Sequence, residues 1–334
     1  FTLRKLRIAL GKTKVPGFLP TTRHRFIGVD ISQQAIKVVE LSRSRGKFML
    51  QGYAIEPLPA GLTGHQTGAE SKSVVQALQR ALEKAAVVTS NAIVGIPDGQ
   101  VICKTLEVEA GLNEIELELH VRLEAEQHIP YALEDVALDF EVQGFSSSHP
   151  GRINVQVAAC RQEALEWHRC VLTSAGLTPR VVTVQAHALA RGVEAMAPNV
   201  ALQDAVAVLD LAPRAIFLSV VCQGQVIYSR ELRLEPEAAE QHGFENTISG
   251  HLERELELFA QSGIEETIAM IILAGEAATT PGLRQCIETR LGTPTRTANP
   301  FSTMSLEPAL APEALLCDAP VLLTACGLAL RGFD

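Results

Sequence analysis

The sequence predicts an α/β protein built from two related halves. Strand-like apolar runs alternate with amphipathic helical patterns along most of the chain, and a strand, acidic turn, strand pattern occurs twice, 180 positions apart. With 334 residues and 47% hydrophobic content, the chain can bury the core of one large protein with two lobes. The elements that support this prediction follow in chain order.

Residues 1–24 form a basic arm. They contain no Asp or Glu, and their cations alternate with apolar side chains: Arg4, Lys5, Arg7, Lys12, Lys14 and Arg23 with Phe1, Leu3, Leu6, Ile8 and Leu10. We expect a flexible arm, with contact to an anionic membrane surface as the alternative. The whole chain has a net charge of −9, which argues against a nucleic-acid partner.

Two further features bear on the cellular compartment. By this interpretation no apolar stretch approaches the roughly 20 residues of a membrane span, which predicts a cytoplasmic protein without a transmembrane segment. The seven cysteines are scattered without a CxxC pair, which favours buried thiols in a reducing compartment over disulfides or a zinc site.

The first half, residues 25–104, opens with a strand hairpin. "GVDISQQAIKVVELS" places Asp30 at the end of an apolar run and Lys37 on the returning run. A third strand around "KFMLQGYAI", the helical stretch "SKSVVQALQRALEKAAV" and the buried strand "NAIVGIP" follow. Taken alone, this pattern is weak evidence for a site, because aspartates at strand ends are common, and an ordinary structural hairpin is the alternative.

The second half repeats this pattern. "VLDLAPRAIFLSV" aligns with the first hairpin when Asp210 is set on Asp30, and Gly224 then marks the next turn as Gly46 does in the first copy. The helical stretch "ENTISGHLERELELFAQSG" and the strand "IAMIILAG" follow. Residues 186–334 therefore predict a second lobe, with a C-terminal helix that returns to the first.

Residues 105–185 predict an inserted α+β module. "NEIELELHVRLEAEQHIPY" alternates as a strand would, but its glutamates favour a helix, and Asn113 with Glu116 resembles a capping box. The strand "INVQVAAC", the helix "RQEALEWHRCVLTSAG" and the strand "TPRVVTVQ" complete the module.

Several of these segments resemble the PilM family, the cytoplasmic actin-like proteins of type IV pilus assembly. They are "GVDISQQAIKVVELS", "KTLEVEAGLNEIELELHVRLEAEQHIPYALEDVALDFEVQG", "AACRQEALEW", "AGLTPRVVTVQAHAL", "GTPTRTANPFSTM" and "CGLALRGFD". The resemblance implies a duplicated bilobal fold of the FtsA and Hsp70 type. Its lobes are termed 1A and 2A, residues 105–185 form the inserted subdomain 1C, and subdomain 2B is shortened, because few residues separate Glu231 from the helix near Glu245.

The resemblance also implies a site for ATP and Mg²⁺ between the lobes. Its first phosphate segment comprises Asp30, Ser32, Gln33, Gln34 and Lys37; its second comprises Asp210, Ala212 and Arg214; its adenosine segment comprises Gly275 and Glu276. Asp30 and Asp210 would hold Mg²⁺ through water. Ala212 and Glu276 stand where the family carries glycine, and Pro213 has no N–H to donate, so we expect weak or lost ATP binding.

The family resemblance implies one partner in particular, the cytosolic tail of the inner-membrane protein PilN. Its Asn-Leu-Leu-Pro peptide would lie in a groove between subdomains 1A and 1C, and other inner-membrane components of pilus assembly are expected partners. Candidate groove residues are Ile129, Pro130, Tyr131 and Leu133, together with the strand from Val101 to Val108. The alternative is that these four residues only cap the core of the inserted module. The protein would thus be peripheral at the cytoplasmic face of the inner membrane.

Two classes of function remain open at this point. The first is an adaptor that binds a membrane protein's tail and keeps nucleotide as a ligand or a vestige. The second is an ATP-dependent phosphotransferase or ATPase of the actin and sugar-kinase fold. The glycines missing at positions 212 and 276 disfavour the second class, because catalysis needs closer positioning of phosphate than binding does.

Overall fold

The structure is a computed structural model of the chain, and it describes residues 24–59, 68–146, 149–196, 204–212, 215–233, 243–264 and 266–334. The basic arm, Pro213 and Arg214 lie outside the described residues. The described part contains a six-stranded, a five-stranded and a three-stranded sheet with helices packed against them. The predicted α/β class is therefore confirmed.

The first sheet carries the first predicted hairpin. Its strands are β1 (His24–Ile31), β2 (Ala35–Ser44), β3 (Lys47–Pro57), β4 (Asn91–Ile96) and β8 (Thr178–Val184). They lie in the order β3-β2-β1-β4-β8, with β1 antiparallel to β2 and parallel to β4. Helices α1 (Gly68–Lys84) and α3 (Gln162–Ser174) cover one face, where a core forms around fully buried Ile36, Leu78 and Leu172.

The second sheet repeats the same order of strands. It consists of β9 (Ala205–Leu211), β10 (Ala215–Cys222), β11 (Gln225–Arg233), β12 (Ile268–Ala274) and β13 (Thr295–Thr297). They lie in the order β11-β10-β9-β12-β13. Helices α5 (Phe244–Gln261) and α6 (Leu283–Leu291) pack on this sheet around Ile248, Leu252 and Ile287. The equivalence of β9 with β1 and of β12 with β4 confirms the predicted duplication.

The C-terminal segment returns to the first lobe, as predicted. Strand β14 (Ser305–Leu306) extends the first sheet beside β3, and α7 (Pro312–Asp318) leads to α8 (Leu323–Arg331), which packs on β1 and on α4 (Gln185–Met196). The helices α4 and α8 cross so closely that a β-carbon on Gly327 would overlap the carbonyl of Ala188. This crossing joins the two lobes, because α4 also contacts β10 and β11.

The inserted module has its own sheet and core. Strands β5 (Val101–Glu109), β6 (Val136–Phe145) and β7 (Arg152–Arg161) lie in the order β5-β7-β6, and α2 (Glu114–Glu126) packs against them. The predicted helix and capping box are both present: the Asn113 side chain accepts bonds from Ile115 N and Glu116 N, and Glu116 accepts from Asn113 N. Favourable helix propensity and capping prevail over the strand-like alternation.

The limits of this module differ from the predicted residues 105–185. Its sheet begins at Val101, and α3 and β8, which the sequence analysis placed in the module, belong to the layers of the first lobe. The strand β8 pairs in parallel with β4, and α3 packs against α1 and β8. The module defined by its own sheet therefore spans residues 101–161.

One apolar run was not expected from the sequence. The run Pro312–Arg331 could cross a membrane by its length and composition alone, so the prediction that no apolar stretch approaches a membrane span was wrong. In the structure 61% of the run's most apolar window is buried, and its α8 part packs between the first sheet and α4. Burial in the core accounts for its apolar composition.

Candidate functional site: the interlobe carboxylates and the groove of the inserted module

The first predicted phosphate segment forms a tight hairpin end. Asp30, at the end of β1, and Lys37, on β2, are cross-strand neighbours, and Lys37 Nζ lies 3.3 Å from Asp30 Oδ2. Asp30 is only 4% exposed, so this pair is shielded from solvent on most sides. The fold therefore brings together two of the residues that were proposed for the first phosphate segment.

A residue that the sequence analysis missed completes the environment of Asp30. Gln185 is the first residue of α4, and its Nε2 donates a hydrogen bond of 2.8 Å to Asp30 Oδ1. Gly95, at the end of β4, leaves the room for Gln185, since a β-carbon there would lie 2.7 Å from its Cγ. Gln185 directly follows a buried parallel strand, which is the sequence position that could have pointed to it.

The second lobe brings Asp210 and Glu276 towards the same place. Ala274, the last residue of β12, is the parallel partner of Asp210 on β9, so Gly275 and Glu276 follow directly beside Asp210. Lys37 interacts electrostatically with Asp210 and Glu276 as well as with Asp30. Phe217 occupies the position on β10 that corresponds to Lys37, so the cross-strand partner of Asp210 is not a cation.

These charges are unbalanced. Burial alone would lower the pKa of Lys37, but the carboxylates of Asp30, Asp210 and Glu276 outweigh this effect and hold that pKa above its ordinary value. Burial raises the pKa of Asp210, and Asp30 and Glu276 raise it further, against the opposing effect of Lys37. Three carboxylates therefore act on one ammonium group, and an additional cation would be favoured there.

The turn between β1 and β2 uses much of its own hydrogen-bonding capacity. Ser32 N and Ser32 Oγ both donate to the carbonyl of Ala35, and Ser32 Oγ accepts from the backbone N–H groups of Gln34 and Ala35. Gln33 and Gln34 are exposed at the tip. A phosphate that approached this turn would have to compete with these internal bonds.

In the second phosphate segment Ala212 is partly exposed, and Arg214 lies outside the described residues. Gly275 has a φ of +85°, and its N–H donates to the carbonyl of Pro320, while Glu276 begins a short 3₁₀ helix with an exposed side chain.

The donor set suits Mg²⁺ held through water better than a direct metal site. Carboxylate oxygens are the ligands that Mg²⁺ prefers, and Asp30 and Asp210 supply them from opposite lobes. Both oxygens of Asp30 already accept bonds from Lys37 and Gln185. Among the described residues, no group of three His, Cys, Asp or Glu side chains is arranged to hold a metal ion directly.

A second candidate site lies where the inserted module meets the first lobe. A cavity of about 350 Å³ opens there between Gly99 and Gln100, which precede β5, and the residues that follow α2. Polar and apolar surface contribute about equally to its lining, which includes the side chains of Val101, Ile102, Ile129, Tyr131, Cys160 and Arg161.

The four predicted groove residues divide into two groups. Ile129 and Tyr131 line the cavity, whereas Pro130 is exposed and Leu133 packs against the core of the module. Tyr131 is 40% exposed, and the Arg161 guanidinium carbon lies 4.4 Å from the centre of its ring. Cys160 and Arg161, from the end of β7, were not predicted, because only the folded sheet brings that strand beside Tyr131.

Comparisons with known proteins concern the family and the fold of the chain. The family model described as type IV pilus assembly protein PilM matches residues 28–242 and 241–333. A solved structure described as the PilM-PilN type IV pilus biogenesis complex aligns with a TM-score of 0.74 at 26% identity, covering 94% of this chain and 100% of that one. The ethanolamine utilization protein EutJ from Carboxydothermus hydrogenoformans aligns with a TM-score of 0.50 at 12% identity, covering 93% and 91% of the two chains.

The family match extends over both lobes and the inserted module, and the structural match covers nearly the whole of each chain. The predicted actin-like fold with two duplicated lobes is thereby confirmed, and this fold in general binds nucleotide. The chain belongs to the PilM family of type IV pilus assembly proteins.

Proposed function

We propose that this chain is an adaptor of type IV pilus assembly that binds an extended apolar peptide in the cavity between the first lobe and the inserted module. The observation that carries the proposal is the open cavity of about 350 Å³ with Ile129 and Tyr131 in its wall. A trough of this size, with apolar side chains in part of its wall and polar groups in the rest, suits a few apolar side chains and the backbone of a short peptide.

The peptide we propose is the cytosolic tail of a PilN-type inner-membrane protein, with the sequence Asn-Leu-Leu-Pro. The structurally similar chain comes from a PilM-PilN complex, which supports a partner of this type. The two leucines would enter the apolar part of the cavity, and Arg161 and Glu163 at its rim would contact polar groups of the peptide. Such an adaptor would be peripheral at the cytoplasmic face of the inner membrane, together with other components of pilus assembly.

The cleft between the lobes would hold nucleotide as a ligand of this adaptor. Asp30 and Asp210 would hold Mg²⁺ through water, and Lys37 would lie near the phosphates. When bound, Mg²⁺ would offset the negative charge of carboxylates and phosphates. The internally bonded turn at Ser32 and the carboxylate of Glu276 support weak binding rather than efficient phosphoryl transfer.

The proposal is tested by titrating a fluorescent PilN-type tail peptide into the full chain. We expect saturable binding by the Asn-Leu-Leu-Pro peptide and at least tenfold weaker binding by a peptide with both leucines replaced by serine, since each buried leucine contributes about 1.5–3 kcal/mol. Equal affinity for the two peptides would contradict recognition by an apolar cavity.

A further inference from the structure

Helix α2 carries an exposed apolar stripe that the proposed function does not use. Ile115, Leu119 and Leu123 are 81%, 60% and 56% exposed. Their spacing of four residues places them on one face of the helix. Val121 and Ala125, on the other side, are buried in the core of the inserted module. Single exposed apolar residues are common, but three in line on one helix indicate a surface that another segment covers.

The surroundings of this stripe, which we term the α2 face, are acidic. Five glutamates and one arginine lie on α2: Glu114, Glu116, Glu118, Glu124, Glu126 and Arg122. The Arg122 guanidinium lies 3.4 Å from Glu118, which leaves the helix with an excess of carboxylates. A segment that covers the α2 face should therefore combine apolar side chains with positive charge.

The chain itself contains a segment of this kind. Residues 1–23 lie outside the described residues, and their sequence includes cations but no Asp or Glu. Within residues 1–10, apolar side chains alternate with Arg4, Lys5 and Arg7. Residues 11–23 could span roughly 45 Å when extended. This reach is about twice the radius of gyration of roughly 20 Å expected for a domain of this length.

We propose that residues 1–10 of this chain cover the α2 face. Their apolar side chains would pack on Ile115, Leu119 and Leu123, and Arg4, Lys5 and Arg7 would lie near the glutamates of α2. The α2 face is separate from the peptide cavity, because none of Ile115, Leu119 and Leu123 lines that cavity.

Photo-crosslinking in the full chain tests this proposal. The substitution Leu119→p-benzoylphenylalanine places a crosslinker on the α2 face, and Val88→p-benzoylphenylalanine is the control, since Val88 is 76% exposed in the loop after α1. We expect mass spectrometry to find adducts between position 119 and residues 1–10, with a yield at least fivefold above that from position 88. Adducts within one copy or between copies both support the proposal.

A second variant tests the role of charge. Replacing Arg4, Lys5 and Arg7 together by glutamate should lower the adduct yield from position 119 several-fold, because the acidic face would repel the segment. Adducts of position 119 with other surfaces only, equal yields from positions 88 and 119, or an unchanged yield in the glutamate variant would overturn the proposal. An adduct of residues 1–10 that forms only in the presence of phosphatidylserine vesicles would also overturn the proposal, because the ligand of this segment would then be an anionic membrane.

Discussion

Gly275 lies against Asp210 so closely that a β-carbon at position 275 would overlap Asp210 Oδ1 and lie 2.7 Å from Leu211 N. The backbone of Gly275 has a φ of +85°, which L side chains rarely adopt. Two requirements therefore favour glycine at position 275: the positive φ of its own backbone, and the close approach of the chain after β12 to the end of β9. This close approach keeps Glu276 and Asp210 on the same side of the cleft.

Gly275→Ala should destabilise the protein more than Gly282→Ala does. Gly282 has a similar φ of +81° but no atom within 4 Å of an added β-carbon, so it measures the backbone effect alone. We expect the alanine at 275 to cost at least about 1 kcal/mol more, because atoms beside Asp210 must move. Urea unfolding of the two variants measures the difference, and equal costs would show that the neighbours of Gly275 adjust freely.

The acidic cleft was predictable in part. Asp30 and Asp210 were proposed because a strand-end aspartate occurs twice, and Lys37 because it lies on the returning strand of the first hairpin. The structure brings Asp30 and Lys37 into contact and Asp210 close enough to influence Lys37. Gln185 was missed because one glutamine after a strand carries no periodic signal. Its role depends on Gly95, which lies far from it in sequence.

The limits of the inserted module illustrate what local sequence does not contain. The strand β8 is compatible with either sheet by its own composition, and only its parallel pairing with β4 assigns it to the first lobe. In the same way, Arg161 reaches the Tyr131 ring because β7 lies between β5 and β6. Long-range strand pairing determined both features, and one sequence gives little information about it.

The cleft should lose nucleotide affinity when the ammonium group of Lys37 is removed. If Mg-ATP binds there, Lys37→Met and Asp30→Ala should each weaken binding about tenfold or more, since a bond to a charged group contributes roughly 1.5–3 kcal/mol. Lys47→Met is the control, because Lys47 is an exposed lysine at the start of β3. Calorimetric titration measures the affinities, and unchanged values in both cleft variants would place the nucleotide elsewhere.

Removing the carboxylate of Glu276 should have the opposite effect. Glu276 contributes to the raised pKa values of Lys37 and Asp210, so its negative charge acts within the cleft. Glu276→Gly, alone or with Ala212→Gly, should strengthen Mg-ATP binding. The repulsion between the Glu276 carboxylate and the phosphates is removed, and the backbone at the new glycines can approach a phosphate more closely. Glu313→Gln is a control on exposed α7. No gain in the double variant would assign weak binding to the shortened subdomain 2B.

The contact between α4 and α8 should be sensitive to acid. Burial and the nearby Arg331 lower the pKa of His187 from 6.5 to about 4. Between these two values the unfolded chain binds a proton that the folded chain does not, so the stability present above pH 6.5 is lost as the pH falls towards 4, by up to about 1.4 kcal/mol per pH unit.

His187→Gln should therefore reduce the loss of unfolding temperature between pH 7 and pH 4.5. His251→Gln, on α5 of the second lobe, is the control. Thermal unfolding by circular dichroism at several pH values measures the effect. If the slope with pH is the same in the His187 variant as in the control, other groups determine the acid sensitivity.

The last prediction concerns the wall of the proposed peptide cavity. Tyr131 is 40% exposed and contributes its ring to the cavity beside the guanidinium of Arg161. Tyr131→Ala should lower the affinity for the PilN-type tail about tenfold or more, because a large aromatic contact surface is removed, with little change in unfolding temperature. Phe145→Ala removes a side chain of the same module that is 81% exposed and does not line the cavity, so its affinity should be unchanged. A fall in stability for Tyr131→Ala without a specific loss of peptide binding would mean that Tyr131 only completes the fold of the module. Equal losses of affinity in both variants would place the peptide on a broader surface that includes the end of β6.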